Sequence, residues 1–382
     1  MTLAGELVVR AEWDGSRITG VALASTRPHV AAKVLADRTA AEAVALVPRL
    51  FSICGASQAV AAALACEAAS GHDADAAPMA ARERLVQGEM AREYLWRMLI
   101  DWPQLAGRAA AREALANAQR EIRVSLAPDQ AAAAFGAAGD AAGGTAVASE
   151  GVRATVQQHV LGEGERWNVL DDPAFGERWL DRRAAAPADL IACLLAERPA
   201  FGASDVALLP GDGASVARSI GECLDADLAF ERAPTWRGAP AETGALARMR
   251  SQPFVGHVIG HAGRSAVARL LARVVELVSL MRPDRRPRTA SCGAAAPGPG
   301  RGLGWVETAR GLLVHSVELA TGRVKHYRIV APTEWNFHPR GALSAGLAGT
   351  AAADAGEVKR LVELAVQSLD PCVEARVEVA HV

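Results

Sequence analysis

Apolar and polar positions alternate in two parts of the chain, near its beginning and near its end. Residues 6–23 contain two alternating runs around Asp14-Gly15, a dipeptide typical of two-residue hairpin turns. Residues 311–330 repeat the pattern around a second Gly-containing turn. We therefore predict a small β-hairpin near each end of the chain.

The segments between these hairpins are rich in Ala, and several place apolar residues three and four positions apart. This spacing is typical of helices with one buried face. Residues 282–304 carry Pro, Gly and Arg without any apolar rhythm, so we predict a flexible loop there. The fold class is expected to be mainly α (α+β), a single domain over residues 1–382 with a large helical body. The predicted helices cover residues 31–47, 53–70, 81–99, 104–120, 187–197, 213–224, 240–250, 254–281 and 354–369.

Composition excludes several function classes. The chain has 382 residues, with 41 Lys and Arg against 43 Asp and Glu, so no net field attracts nucleic acid or an anionic membrane. The longest uncharged stretch is too short and too polar to span a bilayer. Six scattered cysteines do not form a secreted disulfide framework, and the N-terminus lacks a signal-peptide pattern. We therefore expect a cytoplasmic protein that neither binds nucleic acid nor inserts into a membrane.

Two cysteines far apart in sequence each occupy half of a potential metal-binding pair. Cys54 is followed three positions later by Ser57, and Cys372 by Ala375, where the second cysteine of a C-x-x-C pair would stand. Two complete pairs would make a four-sulfur site for a soft metal. Taken singly, either cysteine is more often a buried packing residue than a ligand.

Five short segments, taken in chain order, resemble the large subunit of NiFe hydrogenases. The second resembles that family's Arg-x-Cys-Gly-x-Cys motif, and the last resembles its closing Asp-Pro-Cys-x-x-Cys-x-x-His. The five segments are Leu3-Ala4-Gly5-Glu6-Leu7, Ile53-Cys54-Gly55-Ala56-Ser57, Glu307-Thr308-Ala309-Arg310-Gly311 with His315, Pro332-Thr333-Glu334-Trp335-Asn336 with Pro339-Arg340, and Asp370-Pro371-Cys372.

The resemblance implies roles for several residues. Cys54 and Cys372 would be the terminal thiolates of the metal site. Arg310 and Thr333 would donate hydrogen bonds to the two cyanides of an Fe(CN)2(CO) unit, with Pro332 shaping the backbone beside them. Five further residues would have structural roles around this site, namely Glu307, Trp335, Asn336, Asp370 and Pro371.

The departures from the family pattern are selective. The two bridging thiolates correspond to Ser57 and Ala375, and the proton-transfer glutamate to Ala4. Two histidine positions hold Ala61 and Glu378. Nickel needs the full sulfur set, and proton delivery needs a titratable group, so we expect neither nickel binding nor enzymatic activity.

This sequence keeps the residues that would hold the iron fragment and lacks those that nickel needs. In this respect it is similar to hydrogenase accessory proteins of the HupK/HoxV type. This resemblance implies a non-catalytic scaffold that transiently holds the Fe(CN)2(CO) fragment. Its partners would be the small hydrogenase assembly chaperones and the apo hydrogenase large subunit. A cofactor-free structural or interaction protein of the same fold is the alternative, and a diverged hydrogenase is a second one.

Other features allow additional interpretations. His257 and His261 have the i,i+4 spacing of a zinc-binding pair, although no third ligand lies near them in sequence. Cys292 follows a basic run at 282–288, which would make it an exposed, activated thiol or simply a loop cysteine. Arg310 has an ordinary alternative role as well, in a hairpin salt bridge to Glu307.

Overall fold

The computed structural model of the chain describes residues 5–26, 31–72, 76–137, 147–282 and 291–382. Leu3, Ala4 and residues 283–290 of the predicted loop lie outside these ranges. The helices are α1 Ala31–Leu35, α2 Ala40–Leu50, α3 Gly55–Ala69, α4 Ala76–Trp96, α5 Trp102–Leu105, α6 Arg112–Ala132, α7 Glu150–Val156, α8 Pro173–Arg182, α9 Ala186–Glu197, α10 Gly213–Ala226, α11 Ala245–Met249, α12 Pro253–Ala262, α13 Ala266–Leu280, α14 Pro332–Asn336, α15 Ala342–Leu347 and α16 Ala355–Leu369. The strands are β1 Glu6–Trp13, β2 Ile18–Ser25, β3 Ala207–Leu208, β4 Ala241–Glu242, β5 Cys292–Gly298, β6 Arg301–Thr308, β7 Gly311–Ala320, β8 Arg323–Val330 and β9 Glu374–His381.

The first predicted hairpin is present and gains a third strand from the end of the chain. β1 pairs antiparallel with β2 and parallel with β9, in the order β2-β1-β9. In this register Leu7 lies opposite Ala375. The sheet therefore brings the two ends of the described chain together, and Cys372 lies just before the strand that joins them.

The second predicted hairpin belongs to a four-stranded antiparallel sheet in the order β5-β6-β7-β8. The prediction of a flexible loop at 282–304 was therefore wrong for its second part, which forms β5 and the start of β6. Gly302 and Gly304 explain the missing apolar rhythm, because β6 packs directly on α3. A Cβ atom at these glycines would lie 1.9 and 2.1 Å from backbone carbonyl oxygens of α3. Only glycine leaves enough room for this contact, and glycine adds nothing to the alternation of apolar and polar residues by which a strand is predicted.

The long helix predicted at 254–281 is two helices, α12 and α13. Gly263 adopts a φ of 67°, which ends α12, and the Ser265 hydroxyl accepts a hydrogen bond from the Ala268 amide to begin α13. α13 is buried along nearly its whole length. It forms the centre of the helical body and packs against α4, α9, α11, α12 and α16.

Two arginines on α13 fix β4 and the last turn of α16. Arg269 forms a buried, bidentate ion pair with Glu242 of β4, with both contacts at 2.8 Å. Arg273 donates to the carbonyls of Gln367 and Ser368 at 3.0 and 2.7 Å. These carbonyls belong to the last turn of α16, where a cation satisfies otherwise unpaired acceptors. The segment that carries Cys372 is thereby anchored to the core.

Candidate metal centre

Cys54 lies immediately before α3, at the position that caps the helix. Its Sγ accepts a hydrogen bond from Nε2 of Gln58, one turn along the helix, at 3.5 Å. Desolvation raises the pKa of this thiol to about 12, and the nearby charges of Cys372 and Glu89 raise it as well, while Arg310 acts in the opposite direction. Cys54 is therefore a protonated thiol unless a cation displaces its proton.

Cys372 lies in the short connection between α16 and β9 and is buried. Its Sγ is 3.0 Å from Oγ1 of Thr333 in α14, and its amide donates to the same oxygen at 3.2 Å. Because Thr333 accepts from the amide, its own hydrogen remains available for the sulfur. The structure thus brings Thr333 and Cys372, 39 residues apart in sequence, into direct contact.

Arg310 lies in the tight turn between β6 and β7, with only 5% of its side chain exposed. Burial disfavours its charge, but the carboxylates of Asp370 and Glu93 more than compensate and raise its pKa above the ordinary value. Nη2 donates to Glu93 at 2.8 Å. The buried Nε–H has no hydrogen-bond partner among the described residues. The charges of Cys372 and Cys54 also raise the pKa of Arg310, so both cysteines lie within electrostatic range of its guanidinium.

Asp370 fixes the backbone that leads into Cys372. It ends α16 in the left-handed conformation, with a φ of 56°. Arg97 contacts its Oδ1 through Nε at 2.9 Å and through Nη2 at 2.6 Å, and Arg310 Nε lies 3.6 Å away. Desolvation alone would raise the pKa of Asp370, but Arg310, Arg97 and Arg273 lower it to about 2. The carboxylate is therefore charged and holds the Asp-Pro-Cys turn in place.

An open cleft of about 730 Å³ leads to this site. Arg310, Pro371 and Cys372 line it, together with residues of α4, α16 and β9. Two large apolar side chains at the cleft, Ile53 and Trp96, are 45% and 47% exposed. Cys372 is thus reached from outside through a passage with both charged and apolar walls.

Comparison with known proteins identifies the family. Residues 268–377 match the family model of nickel-dependent hydrogenases. The hydrogenase expression/formation protein HoxV of Cupriavidus necator is 33% identical, covering 100% of this chain and 98% of that protein. The hydrogenase expression/formation protein HupK of Azotobacter vinelandii is 31% identical, covering 99% of this chain and 100% of HupK. The chain belongs to the HupK/HoxV family.

Solved structures agree on the fold. A chain of the NiFeSe hydrogenase from D. vulgaris Hildenborough has a TM-score of 0.56 at 15% identity, and the match covers 94% of both chains. The NiFeSe hydrogenase from Desulfomicrobium baculatum also has a TM-score of 0.56, at 14% identity over 95% of both chains. This HupK/HoxV chain therefore has a fold like that of the hydrogenase large subunit.

In this family member Ser57, at the start of α3, is bound by the carboxylate of Glu89. Ser57 is buried, and its hydroxyl donates to Oε2 of Glu89 at 2.5 Å. The amides of Ala56 and Ser57 donate to the same carboxylate at 2.8 and 2.9 Å. Glu89 thus caps the N-terminus of α3, a favourable place for a negative charge. Desolvation raises its pKa, while these hydrogen bonds lower it.

The remaining departures lie in ordinary structural surroundings. Ala61 is completely buried in α3, and Ala375 is the second residue of β9. The side chain of Glu378 is 42% exposed and paired with Arg376 on the same strand.

The other predicted structural positions hold the Arg310 turn and α14 against the core. Pro332 begins α14, and Trp335 is fully buried. Asn336 accepts from the Thr243 amide at 3.0 Å and donates to the Arg310 carbonyl at 3.1 Å. Glu307 pairs with Arg248 at 2.6 Å. The alternative salt bridge between Arg310 and Glu307 was therefore wrong, since Arg310 pairs with Glu93.

Four polar residues at the site escaped the sequence interpretation. Glu89 and Glu93 of α4 and Arg97 just after it are spaced four residues apart, which places them on one helical face. This polar row among buried residues was the available signal. Gln58 follows Cys54 at the same spacing.

The additional candidates do not form sites. Nε2 of His257 contacts Glu177 at 2.9 Å, and Nδ1 of His261 contacts the His257 carbonyl at 2.9 Å. Within the described ranges, no three His, Cys, Asp or Glu side chains come together as a metal site. The interpretation of Cys292 as an exposed, activated thiol was wrong. It begins β5, is 1% exposed, and desolvation raises its pKa to about 12.

In the described part of the chain, every helix is too short or too polar to span a bilayer.

Proposed function

We propose that this chain is a non-catalytic scaffold in NiFe hydrogenase maturation, which holds an Fe(CN)2(CO) fragment before it passes to the apo large subunit. The maturation role is supported by the names of its relatives HoxV and HupK, which are expression/formation proteins. Transfer would take place in the cytoplasm and would require the small assembly chaperones as donors.

One observation supports the proposal: Cys372 and the buried, unsatisfied Nε–H of Arg310 lie at the same open cleft, and both Cys372 and Arg310 act on the charge of Cys54. Cys54 and Cys372 offer two sulfur ligands, and the buried Nε–H of Arg310 has no acceptor in the described structure. An iron that carries cyanide ligands fits this donor set, because a charged N–H binds an anionic acceptor strongly. The Thr333 hydroxyl beside Cys372 offers another donor.

The same geometry favours a holding role over catalysis. A catalytic NiFe site needs bridging thiolates and a group that moves protons. Here Ser57 is bound to Glu89, and Ala375 is part of β9. Such a site would offer iron two sulfur ligands without the additional sulfurs that a nickel ion needs.

Infrared spectroscopy tests this proposal. The wild-type chain would be purified from cells that produce a hydrogenase, beside a C54A/C372A variant and a C193A control whose cysteine lies on α9. We expect cyanide and carbonyl bands from wild type and C193A, and none from the double variant. The proposal would be contradicted if the wild-type chain showed no cyanide or carbonyl bands while assembly chaperones from the same cells showed them.

Hydrogenase activity in the same cells separates the alternatives. Unchanged maturation in the C54A/C372A strain would favour a cofactor-free structural or interaction protein. Hydrogen-dependent dye reduction by the purified chain would favour a diverged hydrogenase.

A further inference from the structure

A line of three buried polar side chains runs from the four-stranded sheet to the sulfur of Cys54. Gln58 on α3 donates from Nε2 to Cys54 Sγ over 3.5 Å, and its Oε1 lies 3.0 Å from Nε2 of His315 on β7. Nδ1 of the same imidazole lies 2.8 Å from the hydroxyl of Tyr327 on β8. Residues on three elements thus converge on one cysteine.

The direction of these hydrogen bonds follows from the atoms that face each other. Because the amide nitrogen of Gln58 faces the sulfur, its oxygen must accept from Nε2–H of His315. In the neutral imidazole Nδ1 then has no hydrogen and accepts from the Tyr327 hydroxyl. All three bonds donate toward Cys54, and bonds aligned in this way polarise one another.

Packing alone does not require these groups. His315 is 0% exposed, and Gln58 and Tyr327 are each 1% exposed. Burying polar groups costs free energy unless they are hydrogen-bonded, and apolar side chains of similar volume often stabilise a core equally well. The contact between α3 and the sheet is already made by the glycines of β6. A directed chain of donors that ends on a sulfur indicates a role at that sulfur.

We propose that Gln58, His315 and Tyr327 form a hydrogen-bonded relay that positions the Cys54 sulfur as a ligand for a metal. The identity of that metal rests on the proposed function, but the effect on the thiol is present without any metal. All three are positioning residues. Hydrogen bonds to a ligand atom generally orient it and adjust how strongly it donates to the metal.

The first test uses the metal-free protein and the rate at which iodoacetamide alkylates Cys54, followed by mass spectrometry. Tyr327→Phe removes one hydroxyl and keeps the ring, and Gln58→Met keeps the chain length but removes the donor. Gln119→Met is the matched control, because Gln119 lines the cleft without contacting Cys54. We expect alkylation to slow about tenfold in Gln58→Met and about threefold in Tyr327→Phe, and not in the control.

Tyr327→Phe decides the outcome, because its hydroxyl is two side chains away from the sulfur. A wild-type alkylation rate in this variant would overturn the relay, as would an equal loss of rate in Gln119→Met. If Gln58→Met does not fold, Tyr327→Phe still provides the test. This measurement needs no iron, so it remains decisive even if the wild-type chain shows no carbonyl band and the proposed function fails.

The iron-loaded protein provides a spectroscopic test. Without the Tyr327 hydroxyl the hydrogen bond from Gln58 to the sulfur is less polarised, and a thiolate that accepts a weaker hydrogen bond donates more charge to the metal. The carbonyl band of Tyr327→Phe is therefore expected at a lower frequency than that of wild type. A carbonyl band at the wild-type frequency would contradict the relay.

Discussion

Replacing Asp370 by Asn removes the charge that holds the Cys372 turn and leaves the backbone unstrained. Asn is among the few residues that readily adopt the left-handed conformation found at this position. The side chain of Asp370 is 1% exposed and bound by Arg97, with Arg310 3.6 Å away. The variant therefore tests the buried carboxylate itself.

The expected loss of stability can be estimated in two ways. Lowering the pKa of Asp370 from 3.8 to about 2 corresponds to about 2.4 kcal/mol of stability at neutral pH. Removing one partner of a buried ion pair typically costs about 3–5 kcal/mol, because the other charge remains buried. We therefore expect Asp370→Asn to lose about 2–5 kcal/mol of unfolding free energy.

Urea denaturation followed by circular dichroism measures this loss at several pH values. The folded-state pKa is depressed, so the contribution of Asp370 is complete above the unfolded-state pKa and disappears as pH falls through about 2. About half of the linkage contribution should therefore be gone near pH 3. Asp101→Asn is the control, because its pair with Arg97 is more exposed and should cost less than about 1 kcal/mol. A change below about 1 kcal/mol in Asp370→Asn, or an equal loss in the control, would refute the reasoning.

Three further variants or measurements test other contacts. Gly304→Ala should lose about 3 kcal/mol or more in urea denaturation, because its Cβ would lie 2.1 Å from a carbonyl oxygen of α3; Gly298→Ala, with nothing within 4 Å, should change by less than about 1 kcal/mol. Thr333→Val should lose about 1 kcal/mol and release bound iron faster, because Cys372 loses its hydroxyl partner; unchanged iron retention would contradict this role. Cys292 should resist iodoacetamide in the folded protein and react only after denaturation; rapid labelling of the native chain would contradict its burial.

The parts of the fold that sequence reasoning predicted are those with strong local signals. Turns at Asp14-Gly15 and Thr321-Gly322 indicated both hairpins, and the Ala-rich periodic segments indicated the helical body. The strands β5 and β6 were missed because their Gly and Ala residues carry little hydrophobic signal. Their identity depends on close contact with α3, which is a tertiary property.

The candidate site was likewise predicted only in part from the sequence. Resemblance to a known motif order pointed to Cys54, Cys372, Arg310 and Thr333, and the structure places Thr333 directly against Cys372. The partners of Arg310 could not be predicted, because 217 residues separate it from Glu93. Such contacts depend on how helices pack against sheets. The spacing of residues along the chain does not show this packing.

X-ray absorption at the iron edge, on wild-type chain purified with its iron unit, tests the central proposal most directly. If Cys54 and Cys372 hold the fragment, iron will have two sulfur neighbours beside light diatomic ligands, and the C54A/C372A variant will retain no iron. Iron without sulfur neighbours, or with four, would contradict a site built from these two cysteines.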